Sequence, residues 1–375
     1  MISIWEKETF FAPQDIIIAG SGFVGLWSAY FLKKKNPELK ITIIDRGIIP
    51  TGASTRNAGF ACFGSLSELI HDIKTMGVDK TLSLVEMRYK GLERIQKHFD
   101  ATQINFELCG GYELYDHTMN AEQLEEHIQY LNTLIKPITN AKKTYKKVDE
   151  RIETFGFAQT THLVKNNLEG YLHSGKLVQA LLHRVQGMGV QVLNGITITE
   201  IIQKGKGVEL LTNQSFHFKA DQLLICTNAF AKDLLPEADV VPARGQVLVT
   251  SPIPNLPWRG TFHADEGFYY FRNLGDRVLL GGARNKAFEA ETTTEMTPSD
   301  LIQSALEEYL QNTILPYYKN KYTIEHRWAG IMGMGSEKSP IVKQLSPHTY
   351  CAVRMSGMGV ALAPVIGSHV AAMMR

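Results

Sequence analysis

The sequence predicts an α/β fold (α+β overall), in which one parallel sheet is visited at the start, middle and end of the chain and mixed, β-rich segments are inserted between the visits. Three observations predict this. Asp15-Ile16-Ile17-Ile18-Ala19 is a short, nearly continuous apolar run, as expected of a parallel strand buried on both faces. It leads into the turn Gly20-Ser21-Gly22-Phe23-Val24-Gly25 and a helical stretch, Leu26–Lys35, that stops at Asn36-Pro37 because proline cannot continue a helix. Far downstream, Ala220–Thr227 is a second apolar strand that returns to the first sheet.

The remaining elements follow in order. Lys40–Asp45 is the second strand. Leu66–Asp100 is largely helical, with Leu82, Val85, Tyr89 and Leu92 at helical spacing. Phe106–Tyr115 reads as strand and turn, broken at Gly110-Gly111, and Ala121–Ile135 as a helix. The basic run Lys142–Lys147 reads as a solvated loop. Gly175–Met188 is helical and Val190–Ile202 a strand. Val240–Thr250 and Phe262–Gly282 are strand-rich; the latter folds as a hairpin about Asn273-Leu274-Gly275-Asp276. Thr297–Tyr317 is helical, with Thr297 or Ser299 as its cap.

Composition narrows the class. The chain has 375 residues, enough for more than one domain, and 44% apolar with 21% charged residues is ordinary for a globular protein. A net charge of +1 leaves no electrostatic footprint for nucleic acid or anionic membrane. Cys62, Cys109, Cys226 and Cys351 form no CxxC pair, so no metal site is expected and the scatter fits a reducing cytoplasm. The first residues, with Glu6, Lys7 and Glu8, do not read as a signal peptide. The apolar segment Met355–Met374 carries glycines, Pro364, Ser368 and His369, and fits a buried loop and helix better than a membrane span.

Gly20, Gly22 and Gly25 form GxGxxG in its confirming context: a strand before, a helix after, and Asp45 at the end of the next strand. This is the Rossmann-like dinucleotide fingerprint. Gly20 allows the tight turn, Gly22 lets backbone approach a pyrophosphate, and Gly25 lets helix and strand pack closely. Phe23 and Val24 open a helix whose free N–H groups and positive dipole end favour phosphate. Asp45 accepts from ribose hydroxyls and repels a 2′-phosphate. The fingerprint alone does not separate FAD from NAD.

The next segments do. Gly47-Ile48-Ile49-Pro50-Thr51-Gly52-Ala53-Ser54-Thr55-Arg56-Asn57-Ala58-Gly59-Phe60 resembles the second glycine/serine segment of the D-amino-acid oxidase, glycine oxidase and sarcosine oxidase family. Leu172–Leu177, Ile225-Cys226-Thr227-Asn228-Ala229, Pro242-Ala243-Arg244-Gly245-Gln246 and Ser356-Gly357-Met358-Gly359-Val360-Ala361-Leu362-Ala363-Pro364 resemble further family segments in the family's order, over nearly the whole chain. Within the family the chain is most similar to the branch that includes γ-glutamylputrescine oxidase-like proteins. The resemblance implies a Rossmann-like FAD-binding domain (1–105, 171–235 and 328–375) and a discontinuous mixed-sheet substrate domain (106–170 and 236–327). It implies FAD contacts from Arg46, Ala53, Ser54, Arg56, Asn57, Ala58, Ile198, Thr227, Asn228, Ala229, Gly330, Gly357, Met358, Gly359, Val360 and Ala361, besides the first fingerprint and Asp45. A helix beginning near Val360 would aim its positive end at a reduced flavin, which is anionic near N1 and O2.

The departures are informative. Trp328-Ala329-Gly330-Ile331-Met332-Gly333 resembles a segment in which the family places a carboxylate-binding arginine; here Met332 stands there and cannot make charge-assisted bonds. Arg272 and Arg284, on the two arms of the expected hairpin, are substitute candidates, although either also reads as a surface arginine. Tyr269 and Tyr270 match tyrosines beside the family's active site, and as strand neighbours only one can face it. His173 and His263 are further polar candidates, though a lone histidine is more often structural. There is no cysteine in the Met332–Ser336 segment, and Arg56 stands where relatives use a histidine, so the FAD is expected to be non-covalent. The oxygen-activating lysine of sarcosine oxidases falls on Leu279, which leaves the acceptor open.

The implied chemistry is hydride transfer from the carbon bearing nitrogen of an amine or amino acid to flavin N5, hydrolysis of the resulting imine, and transfer of electrons, with oxygen the expected acceptor. A dehydrogenase using a quinone or protein acceptor and a non-catalytic FAD-binding protein are the alternatives. No GxSxG or HExxH motif points to a hydrolase.

Overall fold

A computed structural model describes residues 2–214 and 216–374. The chain divides into two compact units, Met1–Arg56 with Ser174–Ala243 and Ile331–Arg375, and Asn57–His173 with Arg244–Gly330.

In the first unit the apolar strand Gln14–Ala19 lies at the centre of a sheet because both of its faces can be buried; Ile16 to Ala19 are all buried. It pairs in parallel with Phe218–Ile225 (Ala19 opposite Ile225) on one side and Ile41–Asp45 (Ile18 opposite Ile43) on the other. Gln191–Asn194 extends the sheet in parallel beyond Ile41–Asp45, and Thr349–Val353 extends it in parallel beyond Phe218–Ile225. The return of Ala220–Thr227 to the first sheet, expected from its apolar run, is therefore what the fold contains. The glycine helix, Phe23–Lys35, ends at Asn36 before Pro37. The C-terminal helix, Gly359–Met373, packs along it, and Gly367 permits the approach: a Cβ there would lie 2.7 Å from the Trp27 backbone. Lys35 then donates its ammonium protons to the carbonyls of Ala371 (2.9 Å) and Met374 (2.8 Å), at the end of that helix.

The second unit is built on a mixed sheet. Its strands run, in spatial order, Ile324–Met334, Val241–Thr250, Arg277–Gly282, Tyr269–Leu274, Thr261–Ala264, Gly111–Tyr115, His162–Asn166 and Tyr145–Lys147. One face holds an aromatic core in which Phe262 and Phe271 stack at 4.7 Å and Tyr112 stacks on Phe262 at 5.0 Å. The hairpin Tyr269–Leu274/Arg277–Gly282 forms as the sequence predicts.

Several boundaries differ from the sequence reading. Gly77, at φ 85°, divides the expected long helix into Leu66–Met76 and Val78–His98. The expected loop at Lys142–Lys147 ends in an edge strand, Tyr145–Lys147, because Tyr145 is buried and donates its hydroxyl proton to the Gly64 carbonyl (2.6 Å), leaving only the lysines in water. Gly195, at φ 73°, splits the expected strand Val190–Ile202 into Gln191–Asn194 and Ile198–Lys204. Ser299 is the cap residue of Asp300–Tyr309, and the expected helix beyond it tightens and loosens into a π turn and a 3-10 turn. Arg284 is not on a hairpin arm; it follows Ala283, whose left-handed backbone ends the strand, in a short 3-10 turn. Residues 57–105 and 171–173 fall in the second unit, since helices Leu66–Met76 and Val78–His98 pack with Ala121–Thr139 and Phe60–Ala61 pairs with Gly170–Tyr171. No helix among the described residues is long and apolar enough to cross a membrane.

Candidate functional site

The glycine turn has the geometry its sequence requires. Gly20 sits at φ 106°, and a Cβ there would lie 2.9 Å from the Cys226 carbonyl oxygen. A Cβ at Gly25 would lie 2.0 Å from the Gly20 carbonyl oxygen, so only glycine lets helix and turn meet. Gly22 caps the glycine helix with no side chain, and the Phe23 N–H donates to Ser54 Oγ at 2.9 Å. Val24 is buried in the first turn of that helix, and Ala53, Ser54 and Arg56 form one helical turn in which Arg56 Nε donates to the Thr51 carbonyl (3.0 Å).

Asp45 is held from two sides. Its Oδ2 accepts from the Ser21 N–H (2.8 Å) and the Ser21 hydroxyl (2.6 Å), and its Oδ1 accepts from the Gly47 N–H (2.9 Å). Arg46 lies 3.6 Å above the Phe230 ring and 3.7 Å from the Asp233 carboxylate. Ser21, Phe230 and Asp233 were not singled out from sequence. Ser21 had a local signal, being the small polar residue inside the fingerprint; the other two are set by a turn 180 residues away. Ile198 heads a strand whose register partner is Thr212, and the Ile196 N–H donates to the Asp45 carbonyl (3.0 Å).

A second cluster of the same unit joins Thr227–Ala229, Met332–Gly333 and Met355–Ala361. Asn228, at φ 46°, accepts the Met355 N–H on Oδ1 (3.1 Å), and a Cβ at Gly333 would lie 2.8 Å from that oxygen. The Ser356 N–H donates to the Gly333 carbonyl (3.0 Å), and Met332 Sδ lies 3.6 Å from where a Gly357 side chain would begin. Arg354, Ser356 and Gly357 all have positive φ, an uncommon backbone for the two residues with a Cβ. Behind this loop the C-terminal helix begins at Gly359 with Met358 as an N-cap that supplies no side-chain acceptor, so the N–H groups of Val360 and Ala361 point out of an uncapped helix end. Buried Thr227 Oγ1 and Ser356 Oγ have no hydrogen-bond partner among the described residues. Two uncapped helix starts, a glycine cradle and orphaned hydroxyls fit a dinucleotide whose other end is a flat ring accepting hydrogen bonds, and FAD is such a group.

The second unit presents the remaining candidates on the sheet face opposite the aromatic core. Tyr270 packs there with Phe60, Ala58, Val247, Val249, Leu279 and Trp328. Tyr269, its strand neighbour, points into the other face and stacks on Tyr309 at 4.3 Å. Gly281 makes room for the Tyr270 ring, 2.5 Å from a Cβ built there, and burial pushes the Tyr270 phenol up to about 12. His263 lies edge-on to Phe60 at 5.1 Å, with Nε2 buried and unpartnered, and burial pulls it down to about 4.

Arg272 shares this face by strand alternation. It is 4% exposed, yet it has no carboxylate partner among the described residues, and its Nε is unpartnered. Its guanidinium lies 4.6 Å from the Tyr171 ring centre and 3.3 Å from where a Gly59 side chain would begin. Gly59 is at φ 73°, and Asn57 Oδ1 accepts its N–H at 2.8 Å. Burial pulls Arg272 down to about 10, still charged at neutral pH. Tyr171 had no sequence signal, because its place depends on the pairing of Phe60 with Tyr171. Arg284 is half-buried over the Phe288 ring (4.7 Å) and carries less of the case. Trp328, Gly330 and Met332 alternate on one side of their strand. Exposed His173 contributes its N–H to the Ile104 carbonyl, a backbone role. Arg244, of the Arg-Gly-Gln segment, is consumed by a buried bidentate pair with Glu291 (2.7 and 2.8 Å). No cluster of metal-ligating side chains occurs among the described residues.

The chain is similar to known proteins over most of its length. The chain is 23% identical to the probable oxidoreductase OrdL of Haemophilus influenzae over 364 residues, covering 95% of this chain and 82% of that protein. Its fold is similar to glycine oxidase of Geobacillus kaustophilus (TM-score 0.78, 19% identity, 96% and 94% of the two chains covered). It is also similar to L-proline dehydrogenase of P. horikoshii (TM-score 0.77, 18% identity, 96% and 93% covered). Residues 15–373 match the family described as DAO, FAD dependent oxidoreductase. The chain therefore belongs to the DAO family of FAD-dependent oxidoreductases.

Proposed function

We propose that this oxidoreductase oxidises the C–N bond of an amine or amino acid that carries an acidic group, and that Arg272 receives that group in place of the family arginine lost at Met332. The carrying observation is the buried Arg272 guanidinium without a counter-ion. An unpaired buried cation is costly, and an anionic ligand offsets that cost. Arg272, with Tyr171 fixing its plane, orients the substrate. Tyr270 keeps its proton through neutral pH and donates a hydrogen bond. Phe60, Leu279, Val247, Val249 and Trp328 supply an apolar wall that keeps water from the reacting carbon. The FAD that the first unit would hold would supply the hydride acceptor for the carbon bearing nitrogen, and the resulting imine would be hydrolysed in water. The amine binds neutral, so no general base is required of His263. The nucleotide cradle of the first unit holds FAD without a covalent bond, and the protein works in the cytoplasm.

Oxygen is the acceptor in this reading. A second reading, a dehydrogenase passing electrons to a quinone or protein, stays open because buried, apolar Leu279 stands where the resemblance puts the oxygen-activating lysine. The glycine oxidase and L-proline dehydrogenase names of the similar structures span both possibilities.

The test is the visible spectrum of the purified protein under nitrogen, before and after pools of amino acids, N-methyl amino acids and carboxylated polyamines. Two flavin bands that bleach with an acidic amine, and reoxidise in air, are expected. Bleaching by uncharged amines alone would overturn the acidic-group assignment, and slow reoxidation in air would favour the dehydrogenase.

A further inference from the structure

The strand Thr349–Val353 is buried throughout and hands the chain to Arg354, which is 7% exposed and sits at φ 62°. A residue with a Cβ seldom adopts that backbone, and keeps it only where its surroundings over-determine it. Here the guanidinium does so. Its Nε donates to the Ser339 carbonyl (2.9 Å), and Nη1 donates to the Asp239 carbonyl (3.2 Å) and pairs with the Asp239 carboxylate.

Asp239 is fixed in turn. Its carboxylate accepts the Ser336 hydroxyl (2.5 Å) and the Ser336 N–H (3.1 Å), and the next residue, Val240, is buried in a cluster with Val353 and Ala231. The Ser336 hydroxyl first, then its N–H and the Arg354 charge, hold the Asp239 carboxyl below the usual carboxylate range, so it is ionised at neutral pH. Gly335 makes the room, since a Cβ there would lie 2.5 Å from Arg354 Cδ. Arg354 thus ties together three separate stretches of the first unit: Asp239, residues 336–339 and the strand end.

The loop that follows is left-handed again at Ser356 (φ 47°) and Gly357 (φ 81°), and its Met355 N–H is received by Asn228. The uncapped helix Gly359–Met373 begins directly after it. An anchor at Arg354 therefore governs where the free N–H groups at that helix start are held. Because Asp239 cancels the guanidinium charge, what Arg354 contributes to the loop is position.

We propose that Arg354, clamped by Asp239, is a positioning residue for the flavin: it locks the left-handed loop and so fixes the N–H groups of Val360 and Ala361 as donors to the reduced ring. The assignment rests on the reading that residues 356–361 meet the flavin. Donors held in place favour an anionic reduced flavin over the neutral oxidised one, so the clamp raises the reduction potential as well as tightening FAD binding.

The test uses the FAD-loaded protein. The midpoint potential is read by anaerobic titration against a reference dye, and FAD affinity from the fluorescence of free FAD on dilution. Asp239→Asn keeps the shape of a half-exposed side chain and removes its charge, whereas Arg354→Gln removes the guanidinium fork. In both variants FAD binds about tenfold more weakly, the effect of one lost charge-assisted interaction, and the potential falls. A further tenfold loss for reduced over oxidised flavin corresponds to a fall of about 30 mV in a two-electron couple. Arg354→Gly, which accepts φ 62° without strain, loses less than Arg354→Gln on both readouts. Potential shifts of opposite sign in Asp239→Asn and Arg354→Gln would show a bare charge acting on the flavin and overturn the positioning role. Unchanged potential and FAD affinity beside a lowered melting temperature would overturn it too, leaving the pair a purely structural part. Both results leave FAD binding standing. Wild-type protein without flavin bands would instead remove the cofactor reading itself and this assignment with it, so the two failures are told apart.

Discussion

Arg272 is a buried charge that lies on the Tyr171 ring and has no carboxylate partner among the described residues. Arg272→Gln keeps most of the volume and removes the charge. The expected result is a rise in KM or loss of kcat/KM of about 100-fold for an acidic amine, since charge-assisted bonds contribute roughly 1.5–3 kcal/mol. FAD absorbance stays unchanged; steady-state kinetics beside a spectrum check both. Arg284→Gln changes kcat/KM far less. The ionisations on this face yield a pH prediction. His263 sits near 4 and Tyr270 near 12, both because of burial, so neither changes charge between about pH 5 and 11. In that window kcat/KM rises with pH along a limb set by the substrate's own amine and falls again as Arg272 loses its charge near 10, and His263→Gln leaves the rising limb where it is. A limb that moves with His263→Gln would sink the neutral role given to that ring. These residues were partly legible. Tyr269 and Tyr270 were candidates through the resemblance and Arg272, with Arg284, as a substitute for the arginine missing at Met332; in the structure Tyr270 and Arg272 share one sheet face. Tyr171 was not, since nothing in its neighbours says that an arginine a hundred residues later will lie on its ring.

Among the elements, the glycine turn and the strand before it were read correctly because each glycine there answers a local steric demand. Ser21 adds to that turn by fixing Asp45. Ser21→Ala removes the 2.6 Å bond to the carboxylate while the backbone bond remains. FAD affinity falls by about threefold to tenfold, the effect of one hydrogen bond worth roughly 1 kcal/mol, measured from the fluorescence of free FAD on dilution. Gly77→Ala places a Cβ at φ 85° between two helices and lowers stability by about 1 kcal/mol or more, read from urea unfolding. The sequence did not announce that break, because a single glycine inside helical periodicity is as easily tolerated as used. Nor did it announce the edge strand at Tyr145–Lys147, where one buried tyrosine outweighs four surrounding lysines.

At the scale of the whole molecule, stability carries a buried acid. Glu169 is 1% exposed, accepts the Phe63 N–H (2.8 Å) and the Gly64 N–H (3.1 Å), and is pushed up to about 8, chiefly by burial. The sign follows from its raised folded value. Between its unfolded value, near 4.3, and about 8 the folded state holds a proton that the unfolded state has lost, so stability declines as pH rises through that window and then levels. The wild-type melting temperature therefore drops between pH 5 and 8, and Glu169→Gln, which keeps an acceptor for both amides, flattens the drop. A Glu169→Gln curve as steep as wild type would show that other groups set the slope. The two-unit division was legible as a discontinuity, because the apolar parallel strands recur at separated places. The boundaries were not: the helices after Phe60 look like a continuation of the nucleotide-binding segment until their packing partners are known.

The loop around Gly357 and the helix that follows it have a further meaning when the order of synthesis is considered. The ribosome delivers the glycine turn first and residues 354–361 more than 300 residues later, yet these meet in one compact unit with Thr227–Ala229. The glycine helix likewise waits for Ala371 and Met374 before Lys35 has anything to cap. A nascent chain can form the aromatic core of the second unit while it is still tethered. The first unit is completed only when almost all of the described chain has emerged, so its half-finished form is the stage at which a chaperone would find exposed apolar strands.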